Sequence, residues 1–553
     1  MADCAPGSVM EAHGLRAFAA TRTDLRLTAA NGTSLILHAF DLYENVPARF
    51  DAAGVQRLAP SLASPDDPAI ETVTPGPEGL TIQFDDGERV LAPFDWLLAR
   101  LDAHAPGQPS RRPPAVGGPP SFDYAEFMTQ DQARLSALVH VTEFGWVRLR
   151  GAPCEPGEVL RAIAAFGYVR ETNYGRLFDV RVEADTANLA FTDRGLELHT
   201  DNPYRAVPPA LQVLHCLQAA PGGETLLADG FAAAETLRAE DPAAFDSLTR
   251  HLVRFAWQDA TTILEAQAPI ISLGHDGQPN GIRFNHRSLA SPGLPVSLQT
   301  EWRRAYRAFA RILSRPGEQT RFQMAPGDVI IFDNERMLHG RTAFPAGAGR
   351  WLQGAYADRD GLLSSIAHLA RIEADRTVTA IEALFTSPEA REPYGEDLSI
   401  AAHMLQTAHL AAKDGAPETL VAAALLHDIG WPLGEDPHEL SGAARVSAGF
   451  GEAVAAPIRA HVAAKRWLVA TDPDYAATLS AESQRTLVIQ GGAMTAEECT
   501  IFERHEGFAG AVRLRRYDDA AKDPQAICPP FAAYTSLLHR LAAEHAAHKG
   551  ELE

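Results

Sequence analysis

The amino-acid sequence predicts an α+β multidomain protein with a small β-rich N-terminal domain, a middle domain of strands and helices, and an all-α C-terminal domain. Three observations predict it. The chain has 553 residues, enough for two or three domains that each bury a core. Short alternating apolar runs fill its first hundred residues, and beyond about residue 365 nearly every segment has helical character.

The N-terminal part reads as a leader, a domain and a linker. Residues 1–22 are rich in Ala and Gly without a period and are expected to form a loose leader. Residues 23–104 contain alternating runs such as Ser34 to His38 and Leu80 to Phe84, broken by Asp-Gly turns, which are typical of strands. Residues 105–120 are rich in Pro and Gly and are predicted to be a linker.

The rest of the chain divides at about residue 365, where mixed strands and helices give way to helices alone. Residues 121–357 hold two apolar runs expected to be strands, Leu211 to Leu217 and Asp328 to Phe332, and a helix is expected from Glu301 to Arg315. Residues 365–547 are expected to be an all-α domain. Its predicted helices are Asp397 to Lys413, Pro417 to His427, Glu452 to Leu468 and Ala532 to Ala547.

Composition narrows the class of protein. The formal net charge of −22 argues against a nucleic-acid or anionic-membrane partner, so an anionic substrate needs a local basic pocket. Five scattered cysteines indicate reduced thiols rather than a disulfide framework or a zinc site. No apolar run of 18 residues and no signal-like N-terminus occur, which predicts a soluble, cytoplasmic protein.

An H-x-D pair in the middle domain predicts a mononuclear iron site. His199 and Asp201 lie two residues apart, and His339 offers a third ligand. Two imidazoles and one carboxylate leave three coordination positions open, which is how non-heme Fe(II) is held for reaction with O₂. Arg350, eleven residues after the distal histidine, can hold a carboxylate by two parallel N–H bonds, and Thr225 can add a hydroxyl.

Residues from about 23 to 357 resemble the gamma-butyrobetaine hydroxylase branch of the 2-oxoglutarate dioxygenases. The resemblance rests on the H-x-D pair and on the Gly-Gly-x-Thr and His-Gly-Arg motifs. It also rests on the run His199-Thr-Asp-Asn-Pro-Tyr-Arg205, a sequence shared with bacterial hydroxylases of 2-aminoethylphosphonate and its N-trimethyl form. It implies a double-stranded β-helix (jelly-roll), Fe(II) on the three ligands, and 2-oxoglutarate held by Arg350 and Thr225. The zinc often found in the N-terminal domain of this branch is not expected, because residues 25–101 contain no cysteine.

The same resemblance implies a substrate pocket with two ends. Residues at the positions of an ammonium-binding cage are Tyr174, Phe178, Asn188, Phe191 and Tyr356. Ring faces attract a desolvated quaternary ammonium, each by roughly 1–2 kcal/mol. For the phosphonate end, the candidates are Asn202, Tyr204 and Arg287. Taken one at a time, each aromatic residue is better explained as an ordinary core residue, and only the group aligned with the metal motif favours a cage.

A second metal site is predicted in the all-α domain. His427 and Asp428 are adjacent, so the carboxylate can bridge two metals while the imidazole faces one of them. The remaining candidate ligands are His403, His438, His461 and Asp518. Imidazole with carboxylate suits iron or manganese. Lys465 lies one helical turn after His461 and is a candidate phosphonate anchor, a role that Arg515 could share.

Residues 365–547 resemble the HD-domain oxygenases that cleave the carbon–phosphorus bond of 1-hydroxy-2-aminoethylphosphonates at a mixed-valent diiron centre. The runs His461-Val-Ala-Ala-Lys-Arg466 and Arg515-Arg-Tyr-Asp-Asp-Ala-Ala-Lys522 carry this resemblance. It implies that Glu396 lines the substrate end of the pocket. Two positions depart from the pattern. Tyr394 stands two residues before that glutamate rather than three, which puts an iron-gating role in doubt, and Trp431 replaces a histidine. An indole suits trimethylammonium better than a primary amine.

Together the two resemblances imply a bifunctional enzyme that hydroxylates a 2-aminoethylphosphonate-type substrate at C1 and then splits its C–P bond. Phosphate and glycine betaine would result from the N-trimethyl form, which is slightly favoured, and glycine from the free amine. The cofactors expected are Fe(II), 2-oxoglutarate, O₂ and a diiron pair, and ascorbate is compatible with this set. A homodimer is also compatible with the sequence. The alternatives are a gamma-butyrobetaine-like hydroxylase fused to an HD phosphohydrolase, and a non-catalytic helical module.

Overall fold

The computed structural model describes residues 15–29, 34–51, 56–60, 64–101, 121–182, 192–290, 293–345, 347–393, 398–434 and 437–548. The chain divides into two compact units, one of residues 1–107 with 371–546 and the other of residues 108–370 with 547–553. The domain limits expected from the sequence stay predictions, and the 105–120 linker lies outside the described residues.

The N-terminal part contains two antiparallel three-stranded sheets. The first has the order β1 (Leu15–Ala20), β2 (Asp24–Ala29), β3 (Ser34–His38), and the second has the order β4 (Ile70–Pro75), β5 (Gly79–Phe84), β6 (Arg89–Pro93). Helices α1 (Ala39–Asn45) and α2 (Phe94–Leu101) follow β3 and β6. Leucines and aromatic residues from both sheets and both helices form one buried core.

The first strand corrects the predicted leader. Residues 15–20 were expected to be loose, but they pair with β2, from Leu15 opposite Ala29 to Ala20 opposite Leu25. Leu15 is fully buried with Leu25 and Leu27, and this burial together with the strand pairing orders the segment. Residues 1–14 of the expected leader lie outside the described part of the chain.

Two sheets organise the unit that contains residues 121–357. The larger has seven strands in the order β10 (Phe178–Arg181), β21 (Trp351–Ala357), β12 (Leu211–Gln218), β19 (Val329–Asp333), β8 (Trp146–Arg150), β7 (Ser121–Asp123), with β9 (Val169–Arg170) also paired to β21. The smaller has four strands in the order β11 (Leu196–His199), β20 (Met337–Arg341), β13 (Thr225–Asp229), β18 (Thr320–Phe322). Both apolar runs expected to be strands are central strands of the larger sheet, where Val329–Asp333 is buried throughout.

Helices and two hairpins complete this unit. The helices are α3 (Tyr124–Thr129), α4 (Asp131–Phe144), α5 (Glu158–Ala164), α6 (Gly230–Glu240), α7 (Pro242–Arg250) and α8 (Val296–Leu313). The hairpins are β14 (Val253–Gln258) with β15 (Ile263–Ala268), and β16 (Ile271–Leu273) with β17 (Pro279–Ile282). The helix expected from Glu301 to Arg315 begins five residues earlier than predicted, and its apolar face packs in a buried cluster around Phe309.

From Arg359 to His548 the described residues form helices and turns, with one isolated bridge between Pro393 and Ser399. The helices are α9 (Arg359–Phe385), α10 (Ile400–Lys413), α11 (Glu418–Leu426), α12 (Gly430–Leu433), α13 (His438–Phe450), α14 (Glu452–Thr471), α15 (Pro473–Thr478), α16 (Ala481–Ile489), α17 (Ala496–Phe502), α18 (Phe508–Ala520) and α19 (Thr535–His548). Every residue from Leu420 to Leu426 is buried. The helix that precedes the His427-Asp428 pair is therefore packed among other helices. The chain is therefore mixed α/β, with many helices in its C-terminal region.

In the described part of the chain, no helix is both long enough and apolar enough to cross a membrane.

Candidate functional site

The three predicted ligands of the first site come together where β11 meets β20. These strands pair with His199 opposite His339, and Asp201 follows two residues later. Asp201 Oδ1 lies 3.3 Å from His199 Nε2 and 3.8 Å from His339 Nε2, and one donor atom from each residue falls within 4.8 Å of the others. The arrangement places two imidazole nitrogens and one carboxylate oxygen around a common point.

The protonation of this group suits a divalent cation. His199 Nδ1 lies 2.8 Å from the carbonyl oxygen of Glu197, which can only accept, so Nδ1 carries the proton and Nε2 keeps its lone pair. Burial and the neighbouring His199 lower the pKa of His339 to about 3, so this ring is neutral. Burial alone would raise the pKa of Asp201, but it lies well below its usual range, and the Tyr356 hydroxyl that donates to Oδ2 contributes to this lowering. Two imidazole nitrogens and a carboxylate oxygen fit Fe(II).

Two side chains fix the backbone around Asp201. Asn334 accepts from the Asp201 N–H at 2.7 Å and donates to the Asp201 carbonyl at 3.1 Å. Arg283 donates to the carbonyls of Pro203, Arg205 and Ala206, at distances of 2.9–3.1 Å. The segment that carries the carboxylate ligand is therefore held by hydrogen bonds on both sides, a role that the sequence did not reveal for either residue.

Arg350 and Thr225, the predicted 2-oxoglutarate residues, are both buried and line the same cavity of about 690 Å³ as the three ligands. Arg350 Nη1 has no hydrogen-bond partner among the described residues. A buried guanidinium nitrogen without an acceptor is costly, and a carboxylate would satisfy it. Gly223 makes room for this side chain, since a Cβ there would lie 3.1 Å from Arg350 Cδ. The pair fits the 2-oxo acid.

A continuous aromatic wall borders the cavity. The ring centroids are 5.1 Å apart for Tyr356 and Phe178, 6.3 Å for Phe178 and Tyr174, 5.7 Å for Tyr174 and Trp257, and 5.8 Å for Trp257 and Tyr204. Trp257 was not predicted, because it lies on the β14–β15 hairpin, outside every motif. Asn188 and Phe191, the other predicted cage residues, lie outside the described residues.

Polar groups stand beside this wall. The Tyr174 and Tyr204 hydroxyls are 3.2 Å apart, and Tyr204 donates to Asn202 Oδ1 at 2.8 Å. Asn202 has a positive φ of 54°, and its buried Nδ2 meets no acceptor in the described part of the chain. Arg287 lines the same cavity. The residues predicted for the phosphonate end are thus together, with an amide donor still available.

The six predicted ligands of the second site form two buried groups, His403 with His427 and Asp518, and Asp428 with His438 and His461. The groups adjoin at the His427-Asp428 pair. Asp428 Oδ2 lies 3.4 Å from His427 Nε2, while Asp428 Oδ1 lies 3.3 Å from His438 Nε2 and 3.8 Å from His461 Nε2. One carboxylate therefore faces both groups, as a ligand that bridges two cations must.

The imidazoles of this site are also oriented by carbonyl oxygens. Nδ1 of His403, His427 and His461 lies 2.7–2.9 Å from the carbonyls of Ala521, Ala424 and Ile458, respectively. Each Nδ1 is therefore protonated when the ring is neutral, and each Nε2 lone pair faces the ligand group.

The carboxylate that faces both groups, Asp428, is fully buried. Burial alone would raise its pKa, whereas the neighbouring His427, whose own pKa Asp428 raises to about 9, holds the pKa of Asp428 well below its usual range. A buried anion is expensive unless positive charge neutralises it, and two divalent ions in place of the His427 proton would fit the donor set.

The predicted anchors of this site differ in their contacts. Lys465 Nζ donates to Thr486 Oγ1 at 2.9 Å. Arg515 is engaged by two carboxylates, with Nη1 at 2.7 Å from Asp518 Oδ2 and Nε at 2.8 Å from Asp519 Oδ2. Its contact with a candidate metal ligand gives Arg515 an orienting role alongside the predicted one.

Trp431 stacks on a candidate ligand. Its ring centroid lies 4.5 Å from that of His438, with the planes 18° apart, and 45% of the residue is exposed. One indole face is covered by the imidazole, so contact with a ligand is left to the other face and the edge. Glu396 and Tyr394, the remaining predicted residues of this pocket, lie outside the described residues.

Comparisons with known proteins agree with the first site. Residues 107–356 match the model of the "Taurine catabolism dioxygenase TauD, TfdA family". The gamma-butyrobetaine dioxygenase of Pseudomonas sp. (strain AK-1) is 34% identical over 369 residues, which span 65% of this chain and 96% of that protein. The human protein of that name is 34% identical over 256 residues, 45% of this chain and 66% of its own. The trimethyllysine dioxygenase of Neurospora crassa is 29% identical over 358 residues, 56% and 75% of the two chains. This chain belongs to the TauD/TfdA family and contains an Fe(II)- and 2-oxoglutarate-type dioxygenase related to the gamma-butyrobetaine and trimethyllysine hydroxylases.

Proposed function

We propose that this protein degrades a 2-aminoethylphosphonate-type compound in two oxidations. The dioxygenase site hydroxylates C1, with the N-trimethyl substrate favoured, and the helical part is an HD-domain diiron oxygenase that cleaves the C–P bond. The observation that carries the second activity is Asp428, a buried carboxylate that belongs to one three-ligand group and also faces the other.

The aromatic wall supports a quaternary ammonium substrate. Tyr356, Phe178, Tyr174 and Trp257 form neighbouring ring contacts along one border of the cavity. A cation against such rings gains roughly 1–2 kcal/mol for each face when water is excluded. The other end of the substrate is anionic, and the free Nδ2 of Asn202 provides a donor beside it.

In the first oxidation, iron bound by the three ligands would supply the oxidising chemistry. The substrate carbon gains one oxygen atom from O₂, and the other oxygen atom enters the succinate formed as 2-oxoglutarate loses CO₂. Arg350 and Thr225 would hold the 2-oxo acid, while the aromatic wall would orient the carbon next to phosphorus and exclude water.

In the second oxidation, the 1-hydroxy phosphonate and one O₂ give a carboxylic acid and orthophosphate, which balances in atoms and in four electrons. The diiron pair would supply the oxygen chemistry. Lys465, one turn after the ligand His461, would hold the phosphonate oxygens, and Arg515 would orient Asp518 while sharing that charge. With the trimethylated substrate, the acid is glycine betaine.

Phosphorus NMR tests both steps. The iron-loaded protein would be incubated with O₂ and N-trimethyl-2-aminoethylphosphonate, with and without 2-oxoglutarate, and with the primary amine in parallel. We expect orthophosphate only when 2-oxoglutarate is present, and faster from the trimethylated compound. Supplying the 1-hydroxy compound directly should remove the need for 2-oxoglutarate. No phosphate from either hydroxylated compound would refute C–P cleavage.

A second candidate follows from the relatives, two of which are named gamma-butyrobetaine dioxygenases. The first site would then hydroxylate gamma-butyrobetaine, and the helical part would be a metal-dependent phosphohydrolase. Turnover of gamma-butyrobetaine with none of either phosphonate, together with phosphate release from a phosphate ester without O₂, would favour this alternative.

A further inference from the structure

Tyr356 takes part in two features of the dioxygenase site. Its ring belongs to the aromatic wall, with its centroid 5.1 Å from that of Phe178. Its hydroxyl donates to Asp201 Oδ2 at 2.8 Å. Tyr356 is 4% exposed and is the second-last residue of β21 in the larger sheet. One rigid side chain therefore contacts both the substrate pocket and a metal ligand.

The two oxygens of Asp201 have different surroundings. Oδ1 faces the imidazoles, 3.3 Å from His199 Nε2 and 3.8 Å from His339 Nε2, whereas Oδ2 receives the Tyr356 hydroxyl. The backbone of Asp201 is already fixed by Asn334 on both its N–H and its carbonyl. The remaining freedom is rotation of the carboxylate, and the phenol opposes that rotation.

We propose that Tyr356 is a positioning residue that limits Asp201 to ligation through Oδ1. The proposal needs iron at this site, and only its substrate arm rests on the proposed function. A carboxylate that swings to bind through both oxygens takes one of the three positions that two imidazoles and one carboxylate oxygen leave open. The phenol prevents this by keeping Oδ2 in a charge-assisted hydrogen bond, which is the stronger kind.

Removing only the hydroxyl tests the proposal. In the full-length protein, Mn(II) binding would be followed by the paramagnetic resonance of free Mn(II), and His199→Ala would identify which class of sites belongs to the dioxygenase. We expect Tyr356→Phe to weaken Mn(II) binding at this site about tenfold, the loss that is typical when a hydrogen bond to a metal ligand is removed. We also expect weaker visible absorption of bound Co(II), because a higher coordination number lowers its intensity.

Tyr306→Phe is the matched control. It also removes a buried phenol hydroxyl, one with no partner among the residues described, in the core of the same unit. Its Mn(II) affinity and Co(II) spectrum should equal those of the parent protein. If Tyr356→Phe also leaves both unchanged, Tyr356 does not position Asp201. Thermal unfolding of each variant separates these results from a loss of fold.

A substrate arm distinguishes this proposal from the proposed function. Because Tyr356→Phe keeps the ring, calorimetry should show N-trimethyl-2-aminoethylphosphonate bound within about threefold of the parent affinity, while kcat falls. Tyr356→Leu removes the ring as well and should weaken that binding. Failure of the parent protein to bind the ammonium compound would refute the proposed substrate, whereas the Mn(II) and Co(II) results would still decide the role of Tyr356.

Discussion

Four candidate metal ligands, His199, His403, His427 and His461, share one local arrangement: Nδ1 faces a backbone carbonyl. Their tautomers are therefore set by the main chain rather than by another side chain. No single side-chain substitution can remove these partners, so the rings remain oriented when neighbours change. Every residue has a carbonyl, and for this reason the pattern could not be read from the sequence.

Trp257 is the residue whose substitution should report most directly on substrate class. Trp257→Leu removes one ring face and should raise the KM for a quaternary ammonium substrate about tenfold, since one cation–π contact of roughly 1–2 kcal/mol is lost. Trp257→Phe should recover part of this loss. The KM for 2-oxoglutarate, which is held by Arg350, should not move. Steady-state kinetics on the trimethylated substrate, with inhibition by its uncharged isostere 3,3-dimethylbutylphosphonate in parallel, measure the effect, and equal losses for the charged and uncharged compounds would argue against a cation–π contact.

Under the proposed function, Lys465 should give C–P cleavage a pH dependence. Burial and the neighbouring Arg515 lower the pKa of Lys465 to about 8. The side chain is cationic below that pH and neutral above it, so the KM for the 1-hydroxy phosphonate should rise as the pH increases through about 8. Lys465→Arg keeps the charge and should remove this inflection. Initial rates of phosphate release measured across this range check the prediction, and an unchanged inflection in the variant would contradict it.

The sequence identified the side chains that carry motifs and missed those that do not. His199, Asp201 and His339 stand at recognisable spacing, whereas Trp257 reaches the cavity from a hairpin that no motif marks. Arg515 shows a different limit. Asp518 and Asp519 lie three and four residues after it on one helix, so their contact with it was within reach of the sequence.

At the scale of elements, α12 (Gly430–Leu433) lies against the first residue of α13 (His438–Phe450). A Cβ on Gly430 would fall 2.0 Å from the His438 carbonyl oxygen. We expect Gly430→Ala to displace His438, lower the melting temperature and remove metal from the second site. Gly317→Ala is the control, because a Cβ there meets nothing within 4 Å. Metal content per chain and thermal unfolding of both variants test this prediction. If Gly430→Ala still binds metal fully at the second site, the backbone near Gly430 adjusts without displacing His438.

Strand predictability followed hydrophobic pattern. Val329–Asp333 is buried at every position, and the apolar run from Val329 to Phe332 predicted a strand. The strand Leu15–Ala20 was missed because Leu-Arg-Ala-Phe-Ala-Ala has no β-branched residue and no clear alternation. Its order comes from pairing with the next strand along the chain and from the burial of Leu15, neither of which the composition of the segment itself reveals.

At the scale of the whole molecule, the proposed function predicts two separable activities in one chain. His199→Ala should abolish 2-oxoglutarate-dependent hydroxylation and leave phosphate release from the 1-hydroxy compound intact. His427→Ala should do the reverse and let the hydroxylated intermediate accumulate. Phosphorus NMR on each variant, and on an equimolar mixture of the two, measures this. Loss of both activities in either single variant would contradict separate centres.

Composition and structure answer different questions about the chain. The net charge of −22 argues against a nucleic-acid or anionic-membrane partner, yet the candidate sites combine buried arginines and a buried lysine with carboxylates, an arrangement that net charge does not describe. The helical character beyond residue 365 was visible from apolar periodicity. The grouping of six ligands required the packing of α10, α11, α13, α14 and α18, which the sequence alone does not give.

The β14–β15 hairpin lies outside the four-stranded sheet that carries His199 and His339, yet it places Trp257 at the cavity. Trp257 thus borders the cavity from a strand that carries no candidate iron ligand. Because Val253 and Phe255 of the same strand are buried in one core with Leu198 and Leu338, which adjoin the two histidines, a change confined to Trp257 should alter the cavity wall with less disturbance of the ligands than exchange of the whole hairpin.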